Sequence, residues 1–280
     1  MSKLVGVSKS AGQRVSKSAK ALTPPQRLKP AARKAAVEGV PAAKARAIAA
    51  KEPVAAKIKR GKTAKPLAPE RVAAILDALR KTYPNVVCAL THRNAFELTI
   101  ATALSAQTTD VAVNKVTPEL FEMFPTPKAL AEAPLLEIER IVRTTGFYRS
   151  KAKNIQGAAR VLVERFGGEV PKTIEEMIQL PGVARKTANV VLGSWYGIPS
   201  GVVVDTHVLR ISQRLELTKA TEPVKIEQDL QKVFPQDRWI QFSHEVIHHG
   251  RQVCIARKPR CVDCSLETLC NSVDKTWSSH

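Results

Sequence analysis

Leu180-Pro181-Gly182-Val183-Ala184-Arg185-Lys186-Thr187-Ala188-Asn189-Val190-Val191 is the stretch that decides the fold. Pro181 and Gly182 break one helix, and a second begins near Arg185. Ahead of the break, Thr173 and Glu176 have capping-box spacing, which predicts a short helix running to Leu180. The unit is a helix-hairpin-helix. Its hairpin leaves backbone N–H groups unpaired at the start of the second helix, and that positive helix end can hold a phosphate without reading base sequence. Pro-Gly turns between helices are common, so the hairpin alone decides no function.

On both sides of this unit the apolar residues keep a helical period, with almost no strand-type alternation. Val72, Ile75, Leu76 and Leu79 share one helix face, closed by Pro84. Asn94 to Ala106 is apolar on most sides and reads as a buried helix. Asp110 is placed to cap a helix running through Asn114 toward Phe121. One stripe, Leu135, Ile138, Ile141 and Val142, stops at Gly146, and another, Ile155, Val161, Leu162 and Phe166, stops at Gly167. The expected class is all-α, a helical bundle or barrel.

The 280 residues allow one large domain or two small ones, and the formal net charge of +19 calls for a polyanionic partner, with nucleic acid first. Residues 1–66 hold 17 Lys and Arg against only Glu38 and Glu52, so +15 of that charge sits in one segment. With no aromatic residue there, this tail is expected to be disordered. It reads as a polybasic DNA-binding arm, with a solvated extension without a role, or an organellar transit peptide, as alternatives. No apolar run reaches the roughly 18 to 20 residues that span a bilayer, and residues 1–20 lack a secretory core. The expectation is a cytoplasmic, nucleoid-associated protein without a membrane partner.

Cys254, Cys261, Cys264 and Cys270 follow the spacing C-x6-C-x2-C-x5-C, four soft ligands in one short segment. Zinc sites with four cysteines more often use two close C-x2-C pairs, and only one is present, so chemistry alone leaves zinc and an iron–sulfur cluster open. Arg257, Lys258 and Arg260 lie between the first two cysteines and are candidates for phosphate contacts. His244-Glu245-Val246-Ile247-His248 satisfies the zinc-protease pattern H-E-x-x-H, but it lies in the helix leading to Cys254 and reads as packing. Cys88 stands apart and is expected to be a small buried apolar residue.

The stretch from Leu180 to Val191, with Val202-Val203-Val204-Asp205-Thr206-His207 after it, closely resembles the endonuclease III family of the helix-hairpin-helix DNA glycosylase superfamily. The resemblance runs from about Leu67 to Asp274 and implies a helical barrel domain, 88–198, plus an iron–sulfur cluster domain assembled from 67–87 and 199–280. It implies base excision repair of duplex DNA carrying damaged pyrimidines or abasic sites, by a monomer, with strand cleavage by β-elimination. Lys186 would be the nucleophile and Asp205 its catalytic partner. Cys254, Cys261, Cys264 and Cys270 would hold a [4Fe-4S] cluster. Leu104 to Lys115 resembles the family segment whose glutamine, here Gln107, enters the DNA stack. Ser105 and Asp110 would border the damaged-base pocket.

A lysine amine is mostly protonated at neutral pH, so a nucleophilic lysine needs neighbours that disfavour its charge. The helix N-terminus and Arg185 are expected to supply them, and Gly182, Ala184 and Arg185 to meet DNA. Asp205 doubles as a candidate N-cap. One departure stands out: Ala184 occupies a position where the family usually has Gly, which costs about 1 kcal/mol or more only if positive φ is required. A monofunctional adenine glycosylase of the same superfamily is the nearest rival, and it lacks a lysine at the position of Lys186. A histone-like packaging protein is the rival of another class, and it needs neither Lys186 nor Asp205.

Overall fold

The computed structural model describes residues 65–276, and the expectations for the basic tail fall outside these residues except at Lys65 and Pro66. Among the described residues there are eleven α-helices and no strand. Helix α1 (Pro69–Thr82) opens with proline at its first position and buries Val72, Ile75, Leu76 and Leu79 along one side. Helix α2 (Ala95–Leu104) is capped by Asn94, whose side chain accepts from the Glu97 N–H, and all ten of its residues are buried. It is shorter at both ends than the apolar run from Asn94 to Ala106 suggested.

Helix α3 (Asp110–Met123) is capped by Thr109, which accepts from the Ala112 N–H. Asp110 is therefore its first helical residue and not its cap, because its carboxylate is drawn instead to Arg251 at 2.7 Å, 141 residues away. Helices α4 (Pro127–Glu132) and α5 (Leu135–Val142) follow, and a 3₁₀ turn carries the chain to Gly146 at φ +67. Helix α6 (Tyr148–Phe166) ends at Gly167 in the left-handed conformation, where the backbone closes back on the Leu162 carbonyl.

The capping box forms as read: Thr173 accepts from the Glu176 N–H and donates to its carboxylate at 2.7 Å. Helix α7 (Ile174–Met177) is, however, one turn long. Successive tight turns, Gln179 to Glu176 and Leu180 to Met177, finish the segment in place of the expected helix to Leu180. Beyond the hairpin come α8 (Arg185–Ser194), α9 (Thr206–Arg214), α10 (Pro223–Val233) and α11 (Trp239–Gln252).

Two hydrophobic cores organise these helices. The first gathers buried side chains between Leu90 and Leu192, from α2 through α8. The second joins the buried face of α1 to residues between Val202 and Leu266. Helix α1 thus crosses over to pack with the C-terminal segment, and Arg71 fixes it there. Its buried guanidinium donates to the carbonyls of Leu215 at 2.9 Å and Leu269 at 3.0 Å, spanning 144 and 198 residues of sequence. A buried guanidinium on carbonyls satisfies charge and backbone together, so Arg71→Ala would leave acceptors unpaired on both sides.

Candidate functional site

Gly182 stands at φ +78 in the hairpin, and a Cβ there would come within 2.9 Å of Asn154 Cβ on α6. Both facts require glycine at the turn, and the chain then enters α8 through Ala184 at φ −93, ψ 171. Ala184 therefore sits on ordinary extended backbone, and the missing glycine costs no strain. No side chain caps α8, so its first N–H groups and the positive end of its dipole open outward beside Lys186, its exposed second residue.

Asp205 ends the approach to α9, and both cap bonds, from the His207 and Val208 N–H groups at 2.8 Å each, fall on Oδ1. Oδ2 stays outside the cap. The cap uses one oxygen and leaves the other, so the expected cap and the expected catalytic role do not compete for one atom. Lys186 lies on α8, which buries residues in the first core, and Asp205 caps α9, which buries residues in the second. Their side chains nevertheless line one cavity of about 110 Å³, together with Ser105, Asp110, Cys88 and Val190. Arg251 completes one lip through its ion pair with Asp110.

Arg185 behaves differently from expectation. Its Nε donates to Glu227 Oε2 at 3.0 Å and its Nη2 to Oε1 at 3.2 Å, while Asn189 Nδ2 donates to the same Oε1 at 2.9 Å. Glu227, on α10, is buried, so the charge next to Lys186 is largely balanced and the helix N-terminus is left as the cationic neighbour. Only the partner 42 residues away reveals this, and no local pattern marked it.

His244 and His248 lie on α11 and also line the cavity, while Glu245 between them is fully buried and pairs with Arg238 at 3.0 Å. Burial holds His244 neutral, with its pKa down at about 4. The helix packs as expected, through Phe242 and Val246, and its central carboxylate is committed to Arg238. Cys88 is half-buried against the first core, and burial pushes its thiol up.

Gln107 is exposed on the turn after α2 at φ +54, outside the cavity lining. Phe147, which the sequence reading missed, is 73% exposed at φ +48 just ahead of α6. Its signal was an aromatic directly after a helix-stopping glycine. Glu216 at φ +55 and Lys258 at φ +52 share this combination of left-handed backbone and exposed side chain.

Cys254, Cys261, Cys264 and Cys270 line one further cavity with Arg214 and Lys275 on its wall. Arg214 Nη1 donates to Cys254 Sγ at 3.2 Å and the Thr276 N–H to Cys261 Sγ at 3.4 Å. Burial pushes the Cys264 thiol up to about 12. The donor set, the shared cavity and the N–H groups aimed at sulfur fit an iron–sulfur cluster. Among the described residues no three His, Cys, Asp or Glu side chains are grouped to hold a single metal ion. Arg257 and Lys258 are exposed on the loop, and Arg260 is exposed but paired with Asp263 at 2.9 Å.

Residues 100–236 match the family of HhH-GPD superfamily base excision DNA repair proteins. The chain is similar to the endonuclease III of Synechocystis, 56% identical over 72% of this chain and 93% of that one. It is also similar to the endonuclease III of Escherichia coli, 42% identical over 72% of this chain and 95% of that one. Among solved structures, a trapped endonuclease III–DNA covalent intermediate superposes with a TM-score of 0.69 at 43% identity, covering 73% of this chain and 96% of that one.

Proposed function

The chain belongs to the endonuclease III family of base excision repair proteins, and from that premise we propose how this DNA glycosylase and lyase removes a damaged base and which residues do so. The damaged nucleotide leaves the duplex, because a stacked base hides its glycosidic carbon from any side chain. It enters the cavity above Lys186 and Asp205. Lys186 Nζ attacks C1′, the C1′–N bond breaks with its electron pair going to the base, and the base departs protonated. The amine and the opened sugar form a Schiff base. Loss of a C2′ proton then expels the 3′ phosphate, cutting the strand by β-elimination, and water releases Lys186.

Asp205 Oδ2 stabilises the positive charge that develops on the sugar and relays protons during attack. The α8 N-terminus and the hairpin N–H groups hold a backbone phosphate, with Gly182, Ala184 and Arg185 along that contact. Gln107 and Phe147 meet the stack that extrusion opens. The one observation that carries the reading is that Lys186 and Asp205, on helices of different cores, line a single cavity.

The four cysteines would hold a [4Fe-4S] cluster, which when bound ties the loop carrying Arg257, Lys258 and Arg260 into a cationic surface for phosphates. The two cores support a division into a helical domain, 88–198, and a cluster domain built from 67–87 and 199–280. Oxidised pyrimidines are the proposed substrates. The test is cleavage of duplex DNA carrying thymine glycol. Wild type cuts it, Lys186→Ala does not, and Asp205→Asn, which preserves a good N-cap, cuts slowly. Cleavage of abasic sites with thymine glycol left intact would remove the oxidised-pyrimidine reading.

A further inference from the structure

Lys151 lies in the first turn of α6 and is 6% exposed, yet no carboxylate pairs with it among the described residues. Its Nζ donates to Thr108 Oγ1 at 2.5 Å and to the Thr145 carbonyl at 2.7 Å. Thr108 Oγ1 in turn donates to that same carbonyl at 2.5 Å. The Lys151 backbone N–H meets the Phe147 carbonyl at 3.0 Å. Thr108 directly follows Gln107, and Thr145 lies two residues before Phe147, so one side chain joins two turns that each carry an exposed left-handed residue.

A buried ammonium held only by neutral acceptors stabilises poorly compared with an apolar side chain of the same volume, so stability alone does not account for a lysine here. Burial also pulls its pKa down, in keeping with that penalty. We propose that Lys151 is a positioning residue for base extrusion, lacing the turn of Gln107 to the turn of Phe147 so that both side chains enter the duplex as one preformed unit. Without the lace each turn is free to relax toward ordinary backbone, and entry then has to order both at once. The proposal rests on the glycosylase reading above.

The test uses the full chain as Lys151→Met and as Thr108→Val, which keeps the charge but removes the bridging hydroxyl. Single-turnover cleavage is measured on an abasic site in paired duplex and on the same site inside an unpaired bubble, where extrusion needs little work. A fluorescent aminopurine opposite the site reports opening of the stack. Both variants are expected to lose about tenfold or more in rate on paired duplex, the order set by charge-assisted hydrogen bonds, together with the fluorescence rise. On the bubble they should stay within about threefold of wild type. Equal losses on both substrates, or none on either, overturn the proposal. If Lys151→Met does not fold, Thr108→Val decides by the same criteria. Wild type inactive on both substrates would instead sink the lyase part of the reading above and this proposal with it.

Discussion

The pair formed by Arg185 and Glu227 makes an asymmetric prediction. The Glu227 side chain is 7% exposed, whereas that of Arg185 is 46% exposed. Arg185→Met leaves a buried carboxylate with Asn189 as its remaining partner, and breaking a buried pair from this side costs about 3 kcal/mol. Glu227→Met removes the buried charge and lets the half-exposed guanidinium recover water. Its main penalty is then the unpaired Asn189 amide, about 1 to 2 kcal/mol. In thermal unfolding, at about 2 to 4 °C per kcal/mol for a folded region of this size, Arg185→Met should lower Tm by roughly 6 to 12 °C. Glu227→Met should lower it by roughly one third to two thirds as much. The double variant should be less destabilised than the two single effects added, because the second change removes the charge the first one stranded. Glu227→Met costing as much as Arg185→Met, or strict additivity, would falsify the claim that burial of the carboxylate governs this contact.

Gly182→Ala should cost about 1 kcal/mol or more and weaken binding to undamaged duplex, since it meets both a φ of +78 and Asn154, while Ala184→Gly should change stability by only a few tenths; chemical unfolding and a binding titration check both. His244 has its pKa lowered to about 4 in the folded chain against the usual 6.5, so it favours folding fully above pH 6.5 and loses that contribution as pH falls toward 4. His244→Asn should therefore flatten the fall in stability across that window by up to about 1.4 kcal/mol per pH unit, and an unchanged pH profile would contradict the burial argument. Replacing Arg257 or Lys258 with Ala should reduce the slope of log affinity against log salt by roughly 0.9 each, with a smaller change for Arg260, whose charge is shared with Asp263.

Local chemistry was legible in the sequence wherever neighbours along the chain decide it. Thr173 and Glu176 lie three residues apart, Gly167 directly ends α6, and Pro181-Gly182 separates two helices, so each signal sits inside the structure it specifies. The misreadings share the opposite cause. Asp110 could cap α3 by its position, but Arg251 on a distant helix takes its carboxylate and Thr109 does the capping. Arg185 was read as a free cation because Glu227 lies 42 residues further on. Phe147 and Lys151 acquire meaning only when Thr108 and Thr145 come together, a contact across 37 residues with no periodic signature. Lys186 and Asp205 are singled out by resemblance alone, since apolar patterning would assign both to helix starts.

Whether Lys186 Nζ forms the covalent bond to DNA is decided by borohydride trapping followed by peptide mapping. Full-length protein is incubated with thymine glycol duplex, the imine is reduced, and the adducted peptide is sequenced. An adduct is expected on Lys186 in wild type and none in Lys186→Ala at equal DNA binding. An adduct mapping to another lysine, or persisting in Lys186→Ala, contradicts this role of Lys186.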